Sequence, residues 1–369
     1  FIFVQSIIVL GIMKLNKTIF RTLAALIIIG AFVGCDSDDD GGRQNPPPSP
    51  GGGLVDAPYE DPEGLTVTNR YDGYPEGVYV RSFEMPLSGG QKIVGYYAVL
   101  DFVENPDLLF LPQLSAGKKP TKYFSDCLAE GAEDPFLAVN GGFFVMQSPP
   151  RSYCLLVSDG VVKSRPDPYE WTGPSSSPYQ FFPVRAAMGL MDDGKFEAAW
   201  VYCVADDAQR PYAFPSPLDN DERIPSFLPS APTSKTPGAE LWEPQQAIGA
   251  GPMLVRDSLN VAEDSYYKEV LHYMGQGING MGRRPRTALG ITRSQRRMVV
   301  IVCNGDKVQS SAGITLPELG DLFLRFGCVM AVNLDGGGSS AFVGREGTLL
   351  NGISAERTMP TAVVFAEKK

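Results

Sequence analysis

The sequence of 369 residues holds a single histidine, His272. A zinc site built on several imidazoles is therefore excluded, and a Ser-His-Asp triad would have to run through this one residue. His272 sits in Tyr267-Lys268-Glu269-Val270-Leu271-His272-Tyr273, a mixture of aromatics and charges, and reads as a packing or surface residue. The six cysteines (Cys35, Cys127, Cys154, Cys203, Cys303 and Cys328) contain no Cys-x-x-Cys pair, which leaves out the paired-cysteine metal and redox motifs. Positive charge is also short. With 32 Lys and Arg against 42 Asp and Glu the net charge is -10, which argues against nucleic acid as a partner because phosphate backbones need a basic footprint. A local arginine cluster can still hold one phosphate. The apolar run at residues 22–33 is shorter than the ~20 residues a membrane span requires.

What is abundant is Gly (40) and Pro (31), the residues of turns and long surface loops. Near the N-terminus, Met13 is the expected start, followed by Lys14, Lys17 and Arg21 and then the short apolar core. The core ends in Phe32-Val33-Gly34-Cys35, which resembles a bacterial lipoprotein signal, with Phe32 in place of the usual Leu. Residues 1–35 are thus read as a signal with Cys35 as the lipidated residue, and Asp36-Ser37-Asp38-Asp39-Asp40 is similar to acidic surface-export tags of some bacterial lipoproteins. With Cys35 so used, five cysteines remain, at least one of them a free thiol, and Cys303 and Cys328 in apolar runs are the expected buried ones. Residues 36–61 are Gly, Pro, Ser and Asp with little core material, a flexible tether. One domain, residues 62–369, then follows. The expected location is the bacterial cell envelope, anchored by lipid to the outer membrane and facing outward, with the anchor as the sole membrane contact.

Within that domain residues 77–83 and 93–102 are rich in β-branched and aromatic side chains and are expected as strands. Asp159-Gly160 and Asp192-Asp193-Gly194 punctuate apolar runs as hairpin turns. Residues 120–130 suit a short helix. Residues 164–183 and 205–244 are Pro-rich with little periodicity and are read as long loops, in or beside which Trp171, Tyr179 and Trp242 either pack locally or stack on a sugar. Residues 315–326 form the clearest helix: Thr315 and Glu318 make a capping box, Leu319, Leu322, Phe323 and Phe326 share a face, and Gly327 ends it. Between strands at 298–304 and 328–334 this helix makes a strand–helix–strand unit, whose strands should run parallel with a right-handed crossover. The fold class expected is α+β, with a twisted mixed β-sheet core, a few helices and long Pro/Gly-rich loops.

The second of those strands ends in Asn333-Leu334-Asp335-Gly336-Gly337-Gly338-Ser339-Ser340. Three glycines pack nothing, so they serve where backbone turns tightly or approaches a ligand, and their successive N–H groups can cradle an anion. Asp335 stands where ligands bind beyond strand ends. A second apolar strand ends the same way, in Asn140-Gly141-Gly142-Phe143-Phe144, and Gly249-Ala250-Gly251-Pro252-Met253-Leu254-Val255 and Arg286-Thr287-Ala288-Leu289-Gly290-Ile291 lie between them. With Gly313-Ile314-Thr315-Leu316-Pro317-Glu318-Leu319 and Glu356-Arg357, these six blocks, in this order, resemble the phosphodiester glycosidase family.

The resemblance implies hydrolysis of a sugar-1-phosphodiester, such as N-acetylglucosamine joined through phosphate to a second sugar, with a phosphorylated glycan as the partner. Such a site needs donors for the phosphate and a carboxylate near the anomeric carbon. Arg286 and Arg357, matching family arginines, are the phosphate clamps, because a guanidinium fork fits phosphate. Asp335 is the first choice for the carboxylate and Glu356 the second. Asn140 and Ser339 are read as orienting substrate hydroxyls or a water. Gly141, Gly142, Gly251, Gly336, Gly337 and Gly338 are assigned to substrate binding, with backbone donors at 141–142 and 336–338. No cofactor is expected; a metal-dependent phosphodiesterase is the alternative, holding Ca²⁺ or Mg²⁺ on Asp335, Asp306 and Glu356, and a non-catalytic glycan-binding surface lipoprotein is the other. The chain departs from the family at Asn304-Gly305-Asp306, where Asp-Gly-Arg is common. One expectation is testable without a substrate. Cys35→Ser should shift the protein from the membrane fraction to the soluble fraction, and an unchanged distribution would refute lipidation.

Overall fold

The computed structural model describes residues 59–171, 179–272 and 278–369. Cys35 and the tether up to residue 58 lie outside the described residues. Packing begins slightly earlier than the tether reading has it. Tyr59 rests against Tyr79 at 4.8 Å, and Asp61 accepts the Tyr97 hydroxyl at 2.7 Å.

The structure is largely β, with three α-helices among the described residues. An eight-stranded sheet runs from Thr66–Tyr71 at one edge to Leu259–Asn260 at the other, with Lys92–Asp101, Arg297–Cys303, Arg286–Thr292 and Cys328–Asn333 side by side at its centre. Every residue of Arg286–Thr292 and Arg297–Cys303 is buried. The sheet is covered by the helices Ala262–Lys268 and Leu316–Arg325 and by strands of a second, seven-stranded sheet, which pack on its strands Met253–Arg256 and Cys328–Asn333. A four-stranded sheet of Phe342–Val343, Glu133–Asn140, Met359–Lys368 and Leu108–Lys118 completes the core, with helix Pro120–Glu130 on it.

All pairings between these strands are antiparallel, so the sheet core is not mixed; among the described residues the one parallel contact is the isolated bridge Lys92–Ser311. Arg297–Cys303 and Cys328–Asn333 do run parallel, since both pair antiparallel with Arg286–Thr292, but that strand lies between them. The connecting helix starts as its sequence dictates: Thr315 caps it reciprocally with Glu318, and Leu319, Leu322 and Phe323 are buried. Both hairpins form at Asp159-Gly160 and at residues 192–194. The described parts of the Pro-rich stretches are mostly turns and irregular chain, as expected, with short strands set in them. Tyr169–Trp171 pairs with Tyr179–Phe181, and Pro211–Phe214 joins the seven-stranded sheet. Trp242 is packing, only 3% exposed, with Nε1 donating to Glu197 at 2.9 Å. His272 packs against Tyr266 and Tyr267, its Nδ1 3.1 Å from the Tyr266 hydroxyl. Cys127, Cys154, Cys203, Cys303 and Cys328 are all buried free thiols. No helix among the described residues is long and apolar enough to cross a membrane.

The two large sheets share one buried carboxylate. Glu269, fully buried after helix Ala262–Lys268, accepts Met253 N (2.7 Å) from the eight-stranded sheet, and Ala186 N (3.0 Å) and Trp200 Nε1 (2.7 Å) from the seven-stranded one. Burial raises its pKa to about 7, against the pull of these three donors and of Arg185. The folded state then binds a proton that the unfolded state releases at lower pH, so this contribution to stability is complete below the ordinary Glu range and is lost as pH rises toward 7. The loss should be on the order of 3 kcal/mol. Urea unfolding at pH 4.5 and pH 8 should show this fall in the parent and a flatter profile in Glu269→Gln; parallel profiles would exclude Glu269 as its source.

Candidate active site

Two crossings of the chain between sheets meet at the end of the Cys328–Asn333 strand. One is residues 334–341, which leave the eight-stranded sheet and enter the four-stranded sheet at Phe342–Val343. The other is residues 250–252, which join Gln246–Gly249 of the seven-stranded sheet to Met253–Arg256 of the eight-stranded one. Each is pinned by an asparagine at a strand end. Asn333 Nδ2 donates to Gly251 O at 2.8 Å, and Gly251 N returns a bond to Asn333 O at 3.0 Å. Asn140 Nδ2 donates to Asp335 O at 2.7 Å, while its Oδ1 accepts Thr287 Oγ1 (2.7 Å) and Ala341 N (3.2 Å).

The close approach explains two glycines. A Cβ on Gly142 would stand 2.1 Å from Gly249 O, and one on Gly251, which has φ +114°, would stand 2.3 Å from a Glu269 carboxylate oxygen. Gly251 is therefore a seat for Glu269 and not a substrate contact.

Asp335 projects from this junction. Its N–H donates to Gly141 O at 3.1 Å, and its Oδ1 accepts Gly336 N at 2.8 Å. The Ser339 hydroxyl also donates to its carboxylate and accepts Arg357 Nη1 at 3.1 Å, giving a relay of carboxylate, hydroxyl and guanidinium. Removal from water raises the Asp335 pKa, opposed in turn by Ser339, Gly336, Arg357 and Arg286. Arg286, 3% exposed at the start of its strand, donates Nη2 to the carbonyls of Asn279 and Gly282 and Nε to Ile314 O. Burial lowers its pKa to about 10, which still leaves it charged at neutral pH. Among the described residues no carboxylate lies within 4.0 Å of Arg286 or Arg357. The junction thus gathers Asn140, Arg286, Asp335, Ser339 and Arg357 from segments far apart in sequence.

Other expected roles do not survive the geometry. Asn140 is fully buried with its amide bonded at both ends, so it positions the Asp335 loop and cannot orient a substrate hydroxyl. Three of the expected backbone donors are spent inside the protein: Gly141 N on Thr361 O, Gly336 N on Asp335, and Gly337 N on Pro285 O. Glu356 is a helix cap, not a catalytic carboxylate. Its two oxygens accept Thr121 N (2.9 Å) and Thr121 Oγ1 (2.7 Å) at the start of helix Pro120–Glu130. Asp306 pairs at the surface with Arg284 at 3.5 Å, and Arg283 with Glu318. Asp335, Asp306 and Glu356 therefore do not form a metal site, and no group of three or more metal-ligating side chains gathers among the described residues.

Sequence reasoning missed three residues near the junction. Glu269 was legible only as a charge next to the apolar pair Val270-Leu271. Arg185 opens an otherwise apolar strand, Arg185–Leu190, which was a usable signal. Tyr153 had none.

A family model described as phosphodiester glycosidase matches residues 136–366, so the chain belongs to that family. Among solved structures it is similar to the catalytic domain of zebrafish N-acetylglucosamine-1-phosphodiester alpha-N-acetylglucosaminidase, auto-inhibited by its pro-peptide. That likeness has a TM-score of 0.51 at 14% identity over 82% of this chain and 88% of the other. A hypothetical protein from Synechocystis is similar at TM-score 0.46 and 16% identity, covering 80% of this chain and 64% of that one. Among curated proteins, the SPbeta prophage-derived uncharacterized protein YomE of Bacillus subtilis (strain 168) is 44% identical over 72 residues, 20% of this chain and 11% of that protein.

The reassignment of Glu356 has a direct consequence. Glu356→Ala should cost about 1 kcal/mol, as loss of a helix cap does, read from the urea midpoint, and leave the turnover number of the enzyme unchanged. A large fall in turnover at full stability would restore Glu356 to the chemistry.

Proposed function

We propose that the protein hydrolyses sugar-1-phosphodiesters of the N-acetylglucosamine-1-phospho-sugar type, releasing a free sugar and a phosphomonoester. The observation that carries this reading is one loop holding a carboxylate, that of the half-buried Asp335, beside two guanidiniums that have no carboxylate partner among the described residues. A structural arginine is normally neutralised when buried. Arg286, held by carbonyls alone, is a charge kept for an anion that arrives with the substrate.

The phosphodiester carries one negative charge, which Arg286 and Arg357 bind and orient through N–H groups that their protein partners leave free. As the C1–O bond breaks, its electrons go to the bridging oxygen and the sugar gains cationic character. Asp335 lies on the side of that charge. It takes a proton from the water that adds to C1, and the phosphomonoester leaves with its oxygen intact. Ser339, bonded to both Asp335 and Arg357, fixes the spacing of base and clamp. Family membership supports the reaction class. The cell-envelope location on a lipid at Cys35 belongs to the same proposal, since it sets the domain among envelope or host glycans.

Asp335→Asn should lower kcat by at least ~10²-fold, the scale of a lost base or key stabiliser. Arg286→Lys should also slow the enzyme, because a point charge cannot replace the fork. As a base Asp335 must be ionised, so the acid limb of the pH–kcat/KM profile should lie above the ordinary carboxylate range. Hydrolysis in ¹⁸O water decides the bond cleaved: label in the sugar supports this mechanism, and label in the phosphate overturns it in favour of attack at phosphorus.

A further inference from the structure

The seven-stranded sheet brings to this junction a cation that the hydrolytic loop does not use. Arg185, 8% exposed, donates Nε to Glu269 O (3.1 Å) and Nη2 to Val270 O (3.0 Å). Its guanidinium carbon lies 5.9 Å from the centre of the Phe143 ring and 5.8 Å from that of Tyr153. Among the described residues no carboxylate comes within 4.0 Å of it, and Nη1 has no hydrogen-bond partner. The Tyr153 hydroxyl is likewise without a hydrogen-bond partner among the described residues, and burial keeps the phenol protonated, hence a donor.

Both side chains line a recess of about 510 Å³, inside the range of ~300–1,000 Å³ usual for small-molecule sites. The other charges around it cancel or are screened. Arg151 and Asp167 form an ion pair with each other, and Glu170 is exposed to water. The charge felt inside is that of Arg185. Phe143 connects the recess to the catalytic loop: it stacks on Tyr153 at 6.2 Å, and it follows by two residues Gly141, whose carbonyl takes the Asp335 N–H.

We propose that this recess is a subsite for a carboxylate-bearing sugar of the uronic-acid class, with Arg185 and Tyr153 donating to the carboxylate and the rings of Tyr153 and Tyr169, which also lines the recess, facing the sugar's apolar side. One buried cation with a neutral phenol beside it balances one negative charge. A phosphomonoester dianion would bring a second charge that the single cation does not balance, and a neutral sugar would leave the cation uncompensated. The relation of this sugar to the scissile bond rests on the hydrolase reading; its binding does not.

The test is titration of the full chain with D-glucuronate and with D-glucose, followed by calorimetry and saturation-transfer NMR. Glucuronate should bind at least ~10-fold more tightly than glucose, the scale of a charge-assisted hydrogen bond. Tyr153→Phe keeps the stacked ring and should weaken glucuronate about fivefold, the scale of one lost hydrogen bond. Arg185→Gln should abolish the preference, with circular dichroism checking that the ties to residues 269 and 270 are not needed for folding. Equal affinity for the two sugars, no binding of glucuronate, or a Tyr153→Phe variant that binds like the parent would each overturn the subsite. Asp335→Asn separates the two readings. It should bind glucuronate as the parent does and lose turnover of a sugar-1-phosphodiester; no turnover by the parent itself would sink the hydrolase reading and leave the binding result standing.

Discussion

Two buried amide side chains carry the architecture of the site. Asn140 and Asn333 each end a strand, and each ties that end to a crossing between sheets through hydrogen bonds of 2.7 to 2.8 Å. An irregular crossing inside a protein exposes backbone polar groups that a regular strand would have paired, and leaving them unpaired costs roughly 1–3 kcal/mol each. Asn140 uses both the donor and the acceptor of its amide in this way, and Asn333 serves two carbonyls, of Gly251 and Leu334, through its Nδ2. The Asp335 loop is rigid because Asn140 holds its first carbonyl and Asp335 N–H returns to Gly141. Without that knot the carboxylate would have no fixed distance to Arg286 or Arg357.

The distribution of charge follows from the same economy. Most carboxylates here are exposed or paired, as burial of an ion demands. Glu269 and Asp335 are two buried or half-buried carboxylates without an ion pair within 4.0 Å among the described residues, and they resolve the cost differently. Glu269 is enclosed and accepts three donors from two sheets, so its role is to hold the sheets together. Asp335 keeps part of its surface accessible and has two guanidiniums nearby whose hydrogen bonds go to carbonyls and a hydroxyl. A carboxylate and cations kept near each other but unpaired form a site that a charged ligand completes. Arg185, stacked on two rings and unpaired in the same neighbourhood, extends that pattern into the seven-stranded sheet.

Glu356 and the glycines show how a motif can be right about place and wrong about role. The block Glu356-Arg357 does reach the site, yet only Arg357 faces it, because both Glu356 oxygens are turned to Thr121 at the start of a helix. Of the glycines read as anion donors, Gly141, Gly142 and Gly336 admit close contacts, and the N–H groups of Gly141, Gly336 and Gly337 are consumed within the protein.

Local chemistry determined much from the sequence alone. The capping box at Thr315, the Asp-Gly hairpins, the apolar central strands and the convergence of Asn140, Arg286, Asp335 and Arg357 were all readable, since each depends on residue type and short-range order or on six blocks in register. What only the tertiary structure decided was which polar groups were already satisfied. Whether Asn140 faces a ligand or a threonine, whether Glu356 meets an anomeric carbon or the first turn of a helix 235 residues away in sequence, and whether Glu269 is surface or core are long-range facts. They follow from the antiparallel order of three sheets, and no periodicity encodes them, because hydrogen bonds between distant segments leave no mark on the residues that lie between.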